Sequence, residues 1–237
     1  RTTMAGLRIA EVFTSIQGEG IWLGVPSTFV RVSGCNLRCV WCDTPYASWN
    51  PEGPVRSIPE IVEDVASRNV EHVVVTGGEP MLFDPVEDLA SSLKARGHTI
   101  TIETAGTVYR SLPCDLMSIS PKLGNSTPGP EAGPGWTERH ERTRRDREPV
   151  KRLLQSYAYQ LKFVVDPENS PEDVAEIERL LADVGPVRSD RILVMPEGTD
   201  PDTIRRRGLQ LVETCVERGW RLTPRLHIDL FGNARGT

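Results

Sequence analysis

The chain predicts an α/β fold, an open, partial parallel β/α barrel of about six strands. Three observations carry that expectation. Short runs rich in Val, Ile and Thr recur at residues 27–32, 72–76, 99–103, 116–120, 160–165 and 191–195, as strands buried on both faces do. Stretches of helical period lie between most of them, and strand alternating with helix implies parallel strands joined by right-handed crossovers. Six such strands fall short of the eight that close a full barrel.

The elements follow in order. The run 27–32 leads directly into a cysteine-rich segment. Ile58, Ile61, Val62, Val65 and Ala66 then share one face of a helix that starts at Pro59. After the run 72–76, Val86, Leu89, Ala90 and Leu93 repeat that pattern and stop at Gly97. The runs 99–103 and 116–120 come next. Residues 124–150 break the alternation with many Pro and Gly residues and a charged run over 138–148. They are read as an insertion, a solvated loop or helix face without assigned chemistry. A lid, or a docking patch for an acidic electron donor, is the sharper alternative. Beyond the run 160–165, Ser170 and Pro171 look like a cap and first-turn proline before Val174, Ile177, Leu180, Leu181 and Val184. Asp200 and Pro201 repeat the signal after the run 191–195, leading into Leu211, Val212, Cys215 and Val216. A single domain over 1–237 is expected, with 124–150 inserted in it.

Composition narrows the partners. The formal net charge of -5 gives no support to broad nucleic-acid or anionic-membrane binding. No apolar run approaches the roughly 20 residues that span a bilayer, and residues 1–7 lack the charged-then-apolar pattern of a leader. Five cysteines, three of them crowded together, make a poor disulfide framework. A reducing cytoplasm is therefore the expected location.

The chemistry concentrates in residues 33–44, S-G-C-N-L-R-C-V-W-C-D-T. Cys35, Cys39 and Cys42 can hold three corners of an iron–sulfur cube but leave one iron without a protein ligand. With one further ligand the same thiols would suit tetrahedral zinc. The other strand ends are unusual as well: Thr76-Gly-Gly-Glu-Pro80, Glu103-Thr-Ala-Gly106, Ser120-Pro-Lys122 and Met195-Pro-Glu-Gly198. Ligands of parallel α/β folds sit at the carboxyl ends of strands. The glycine pair Gly77 and Gly78 is expected to let backbone approach a ligand closely.

Cys35-x3-Cys39-x2-Cys42, the aromatic Trp41 and the segment Gly77-Gly-Glu-Pro80 resemble the radical S-adenosylmethionine (SAM) superfamily. The resemblance implies a [4Fe–4S] cluster on the three cysteines, S-adenosylmethionine on the open iron, and hydrogen abstraction by a 5′-deoxyadenosyl radical. A narrower resemblance spans nearly the whole chain. Glu11-Val-Phe-Thr-Ser-Ile-Gln-Gly-Glu-Gly20, Phe29-Val-Arg31, Cys42-Asp-Thr44, Val75-Thr-Gly-Gly-Glu79, Ile102-Glu-Thr104, Gln160-Leu-Lys-Phe163 and Met195-Pro-Glu-Gly-Thr199 are similar to the 7-carboxy-7-deazaguanine synthase family. That family converts 6-carboxy-5,6,7,8-tetrahydropterin into 7-carboxy-7-deazaguanine with loss of ammonia, on the route to queuosine-type deazapurines.

The narrower resemblance implies roles residue by residue. Ile16, Gln17, Gly18, Arg31 and Thr76 match positions that bind the pterin, and Arg31 offers a carboxylate a planar fork of donors. Trp41, Cys42, Asp43, Gly78, Ser120, Pro121, Lys122, Met195, Pro196 and Glu197 match positions around S-adenosylmethionine. Thr44 matches a magnesium ligand, which substrate oxygens and water would complete. A low-potential, flavodoxin-like electron donor and a homodimer are implied too. Ala105 departs from the Asn often found at that strand end. Cys215 reads as a core thiol, Cys114 as a core thiol or an auxiliary ligand, and His227 as structural. Two other readings stay open at this point, a glycyl-radical-enzyme activating protein and a non-catalytic zinc module.

Overall fold

The computed structural model describes residues 6–237; residues 1–5, most of the stretch read for a leader, lie outside it. The β-branched runs become strands of one sheet. In chain order these are β1 (Gly6–Ile16), β2 (Pro26–Val32), β3 (Val55–Ser57), β4 (His72–Gly77), β5 (Thr99–Thr104), β6 (Leu116–Ile119), β7 (Tyr159–Val165), β8 (Ile192–Pro196) and β9 (Arg221–Leu222). They are arranged β3-β1-β2-β4-β5-β6-β7-β8-β9, so the sheet does not close on itself. Every pairing from β2 to β9 is parallel, and the carboxyl ends of those strands form one rim. The six runs read from the sequence are β2 and β4 to β8. This is the expected open barrel.

The long β1 was absent from that reading. It pairs antiparallel with both β2 and β3, and its register shifts between Ile9 and Glu11. The shift breaks the alternation by which a half-buried strand is recognised.

Helices α1 (Ile58–Ala66), α2 (Pro85–Ala95), α3 (Trp136–Arg145), α4 (Glu148–Ser156), α5 (Asp173–Val184), α6 (Pro201–Arg218) and α7 (Leu226–Phe231) complete the fold. Ser57 and Glu60 close a capping box at the start of α1. Asp200 accepts the Thr203 N–H at 2.9 Å to start α6, and Gly219 in the left-handed region ends it. One continuous core joins Ile61, Leu89, Leu93, Ile177 and Leu180 of the helices to Val73, Val75, Ile100, Phe163 and Val194 of the sheet.

Three details differ from expectation. Helix α5 begins at Asp173, because the Asp173 N–H bonds the Ser170 carbonyl and keeps Ser170 and Pro171 in a preceding turn. Of the apolar residues read on α6, Leu211 and Cys215 are buried while Val212 and Val216 are exposed. The second half of 124–150 is the helix of the two alternatives, α3 and the start of α4, but it is not wholly solvated, since His140 and Arg144 are buried. Arg144 pairs with Glu141 at 2.6 Å and with Glu176 of α5 at 2.6 Å, which fastens α3 to the barrel.

Asp173 is buried at the start of α5. Its Oδ2 accepts the Asp166 N–H at 2.9 Å and the Asn125 amide at 2.7 Å, and its Oδ1 has no partner among the described residues. Burial raises its pKa to about 6. A carboxyl raised above its unfolded value of about 3.9 gives stability that is full below that value and lost as pH rises through the folded one. Asp173→Asn is therefore expected to raise the melting temperature near neutral pH by about 3–6 °C. The gain should vanish near pH 4. Thermal melts across this pH range check it, and an unchanged melting temperature at neutral pH would clear the ionised carboxylate of any cost.

Candidate active site

Backbone packing holds the thiol loop in place. A Cβ on Gly77 would strike the Val32 backbone, and one on Gly78 would strike the Gly34 and Ala47 carbonyl oxygens. The glycine pair thus allows close backbone approach to the cysteine loop, in addition to the approach to a ligand expected of it. Three hydrogen bonds seal the contact: Gly78 N–H to the Val32 carbonyl (2.9 Å), Glu79 N–H to the Gly34 carbonyl (2.9 Å) and Gly34 N–H to the Ala47 carbonyl (2.7 Å). The Glu79 carboxylate is fully buried and accepts from the Thr104 hydroxyl and the Met81 and Ala105 N–H groups, at 2.8 to 3.0 Å. Burial raises its pKa against those donors. Glu79 is a clasp between the ends of β4 and β5.

A cavity of about 290 Å³ opens beside this loop, near the lower end of the range for small-ligand sites. Cys35, Cys39 and Cys42 line it together with Arg31, Thr76, Glu103 and Lys162 from the strands. Burial and the neighbouring thiols push Cys35 above its ordinary range. Burial takes Cys39 up to about 12, against the pull of the Lys122 charge.

Charged side chains stitch the rest of the rim together. Glu19, after β1, pairs with Lys162 of β7 and, at 3.1 Å, with Arg225 near the C-terminal end. Arg225 also pairs with Asp43, the residue after Cys42. Burial would raise Glu19, yet Lys162 and Arg225 hold it well below the usual carboxylate range. Glu103 accepts from the Gln17 amide (3.2 Å) and the Thr76 hydroxyl (2.8 Å). Arg31 donates through Nε to Glu11 at 2.6 Å, and its two terminal nitrogens make no hydrogen bond among the described residues. His227 also lines the cavity. Its ring fits only because Gly18 has no Cβ, and burial lowers its pKa.

Comparison with known proteins decides the family. Residues 29–207 match the model of the radical SAM superfamily. The chain is 43% identical over 241 residues to a 7-carboxy-7-deazaguanine synthase of Halobacterium salinarum, covering 98% of this chain and 93% of that protein. It is 41% identical over 238 residues to the enzyme of the same name from Rhodopirellula baltica, covering 100% and 91%. The chain belongs to the radical SAM superfamily and, within it, to the 7-carboxy-7-deazaguanine synthase family. The crystal structure of QueE from Escherichia coli superposes with a TM-score of 0.65 at 25% identity, covering 94% of this chain and 95% of that one.

A radical SAM protein carries a [4Fe–4S] cluster and uses S-adenosylmethionine. The donor set fits the cluster, because three thiols converge on one cavity, and burial opposes the charged form of Cys35 and Cys39 until a metal supplies compensating charge. Among the described residues no three His, Cys, Asp or Glu side chains are arranged to hold a single ion. A cube asks for its thiolates at separate corners. Trp41, Asp43, Thr44, Gly78, Ser120, Lys122 and Met195 line the same cavity, as do Ile16, Gln17 and Gly18. Lys122 donates to the Ser120 hydroxyl at 2.9 Å and lies 5.4 Å from the Trp41 ring centre. Pro121, Pro196 and Glu197 are not on the cavity wall. Glu197 turns away to pair with Arg207 of α6.

Glu19, Glu103, Lys162 and Arg225 went unassigned in the sequence, and His227 was read as structural. Lys162 had a usable signal, since a charged residue inside an otherwise apolar parallel strand needs a reason to be there. Glu19→Gln removes the carboxylate facing two buried cations, and a cost of about 3–5 kcal/mol in denaturant unfolding is expected. A loss below about 1 kcal/mol would show that the network relaxes into solvent.

Proposed function

We propose that this chain converts 6-carboxy-5,6,7,8-tetrahydropterin into 7-carboxy-7-deazaguanine and ammonia. The observation that carries the reading is one cavity lined by both the three thiols and the free fork of Arg31. The bound cluster and S-adenosylmethionine would supply a 5′-deoxyadenosyl radical for hydrogen abstraction. Cys35, Cys39 and Cys42 are the cluster ligands in this reading. Trp41, Asp43, Gly78, Ser120, Lys122 and Met195 form the cofactor wall, with Pro121, Pro196 and Glu197 supporting it from behind.

The pterin belongs beside Ile16, Gln17, Gly18, Arg31 and Thr76. Arg31 presents two unused N–H-bearing nitrogens to the substrate carboxylate. Glu103, oriented by Gln17 and Thr76, accepts from the amino edge of the ring. Lys162 and Arg225 are balanced there by Glu19 and Asp43, which leaves the unused nitrogens of Arg31 to take the substrate carboxylate, and His227, whose pKa burial lowers, lines the same end. Thr44 is proposed to hold Mg²⁺ together with substrate oxygens.

The five cysteines are free, which suits a reducing cytoplasm, and no helix among the described residues is long and apolar enough to cross a membrane. A low-potential, flavodoxin-like protein is the proposed electron source. A homodimer is the proposed assembly, supported by Leu209, Val212 and Val216, which form an exposed apolar stripe on α6.

Anaerobic reconstitution with iron, sulfide, S-adenosylmethionine, a reductant and the carboxy-tetrahydropterin tests the reading, with 7-carboxy-7-deazaguanine as the expected product. Cofactor cleavage without that product would overturn it. Arg31→Ala is expected to assemble its cluster normally and to weaken pterin binding by about 2–4 kcal/mol. Unchanged affinity in equilibrium binding would remove Arg31 from the substrate site.

A further inference from the structure

Residues 124–145 pack on the outer side of the thiol loop. The Val40 N–H bonds the Ser126 carbonyl at 3.0 Å, and the Trp41 indole donates to Asn125 at 3.1 Å. Buried His140 of α3 accepts the Arg38 N–H at 3.1 Å through Nδ1. Helix α3 is thereby fixed to the backbone between Cys35 and Cys39, and whatever binds α3 sits against the thiol loop.

Arginine lines this face. The Arg38 guanidinium lies 3.9 Å from the Trp136 ring centre and that of Arg139 lies 4.6 Å from it, so two cations stack on one indole. Arg38 is anchored to the loop by donating to the Cys35 and Leu37 carbonyls at 3.1 and 2.8 Å. Arg142 is exposed one turn along from Arg139. Arg144 and Arg145 find carboxylates in Glu141 and Glu176. Arg38, Arg139 and Arg142 have no carboxylate partner among the described residues. These like charges, left uncompensated in a chain of net charge -5, call for an external anion. Val40, between two of the thiols, is 55% exposed beside them and offers a short apolar way through to Cys39.

We infer that Arg38, Arg139, Arg142, Trp136 and Val40 form the docking surface for an acidic one-electron carrier protein, which reduces the cluster through the thiol loop. This rests on the reading that Cys35, Cys39 and Cys42 carry the cluster. Complementary charge speeds encounter and fixes orientation more than it adds affinity. The arginines stacked on Trp136 hold that charge in one place, so the carrier's acidic face is oriented over Val40.

The test uses the full chain with its cluster assembled and no pterin present, and it follows the loss of visible absorbance as the cluster is reduced. Reduced flavodoxin is one electron source and a photogenerated, uncharged 5-deazaflavin radical is the other. For Arg139→Gln/Arg142→Gln, reduction by flavodoxin at low salt is expected to slow by about tenfold or more. Its dependence on ionic strength should flatten, while the deazaflavin rate and the iron content match the wild type. Arg142→Glu alone should move the flavodoxin rate in the same direction. An unchanged flavodoxin rate, or an equal loss with both reductants, overturns the docking surface. A wild-type protein that flavodoxin reduces normally but that forms no deazaguanine would sink the proposed reaction and leave this surface standing.

Discussion

Four parts of the rim are held together by one set of charges, largely buried except at Asp43. Glu19 sits between Lys162 and Arg225, and Arg225 reaches on to Asp43. These side chains come from the turn after β1, from β7, from the segment after β9 and from the thiol loop. None of those segments is a sequence neighbour of another. Removing ions from water is costly, and the return is good only when each charge meets its partners in good geometry. The network therefore gains little as an isolated source of stability and much as a specification of place. Once Arg225 is set between Glu19 and Asp43, the thiol loop, the Gln17 turn and the His227 segment can adopt only one mutual arrangement.

Closer to the thiols, uncharged backbone does the positioning. The glycines after β4 let that strand end press against the thiol loop, and Glu79 ties the same strand end to Thr104 and Ala105 of β5. Two kinds of constraint therefore meet at one cavity. Backbone contacts fix where the cysteines stand, and ion pairs fix the walls around them. Arg31 belongs to both sets, because β-sheet register places it opposite Glu11 while its outer nitrogens remain unused. A side chain held at one end and free at the other is well suited to receive a carboxylate without reorganising.

The parallel strands were legible because Val, Ile and Thr in short runs are what burial on both faces requires, as in Val73, Val74 and Val75. The thiols and strand-end motifs were legible because their residue types are rare outside metal and ligand sites. Three things were hidden for physical reasons. The shift in β1 erased its alternation. Helix α3 buries His140 and Arg144, so its inner face carries no apolar periodicity to find. The contact between Glu19 and Lys162 spans 143 positions of chain and exists only after the barrel forms. Local pattern reports what a residue needs from water. It cannot report which distant residue will supply it.

An open barrel leaves two strands with unpaired backbone, and such rows of N–H and C=O groups are templates for pairing with another molecule. Here the outermost strands are β3, with three residues, and β9, with two. Helix α1 follows β3 without a gap, which ends that ladder as soon as it begins. Those two strands thus offer little edge of their own. The long β1 meets β3 only over Gly6–Arg8, however, so the outer edge of its remaining length has no ladder partner among the described residues and is where the unclosed sheet could receive another strand.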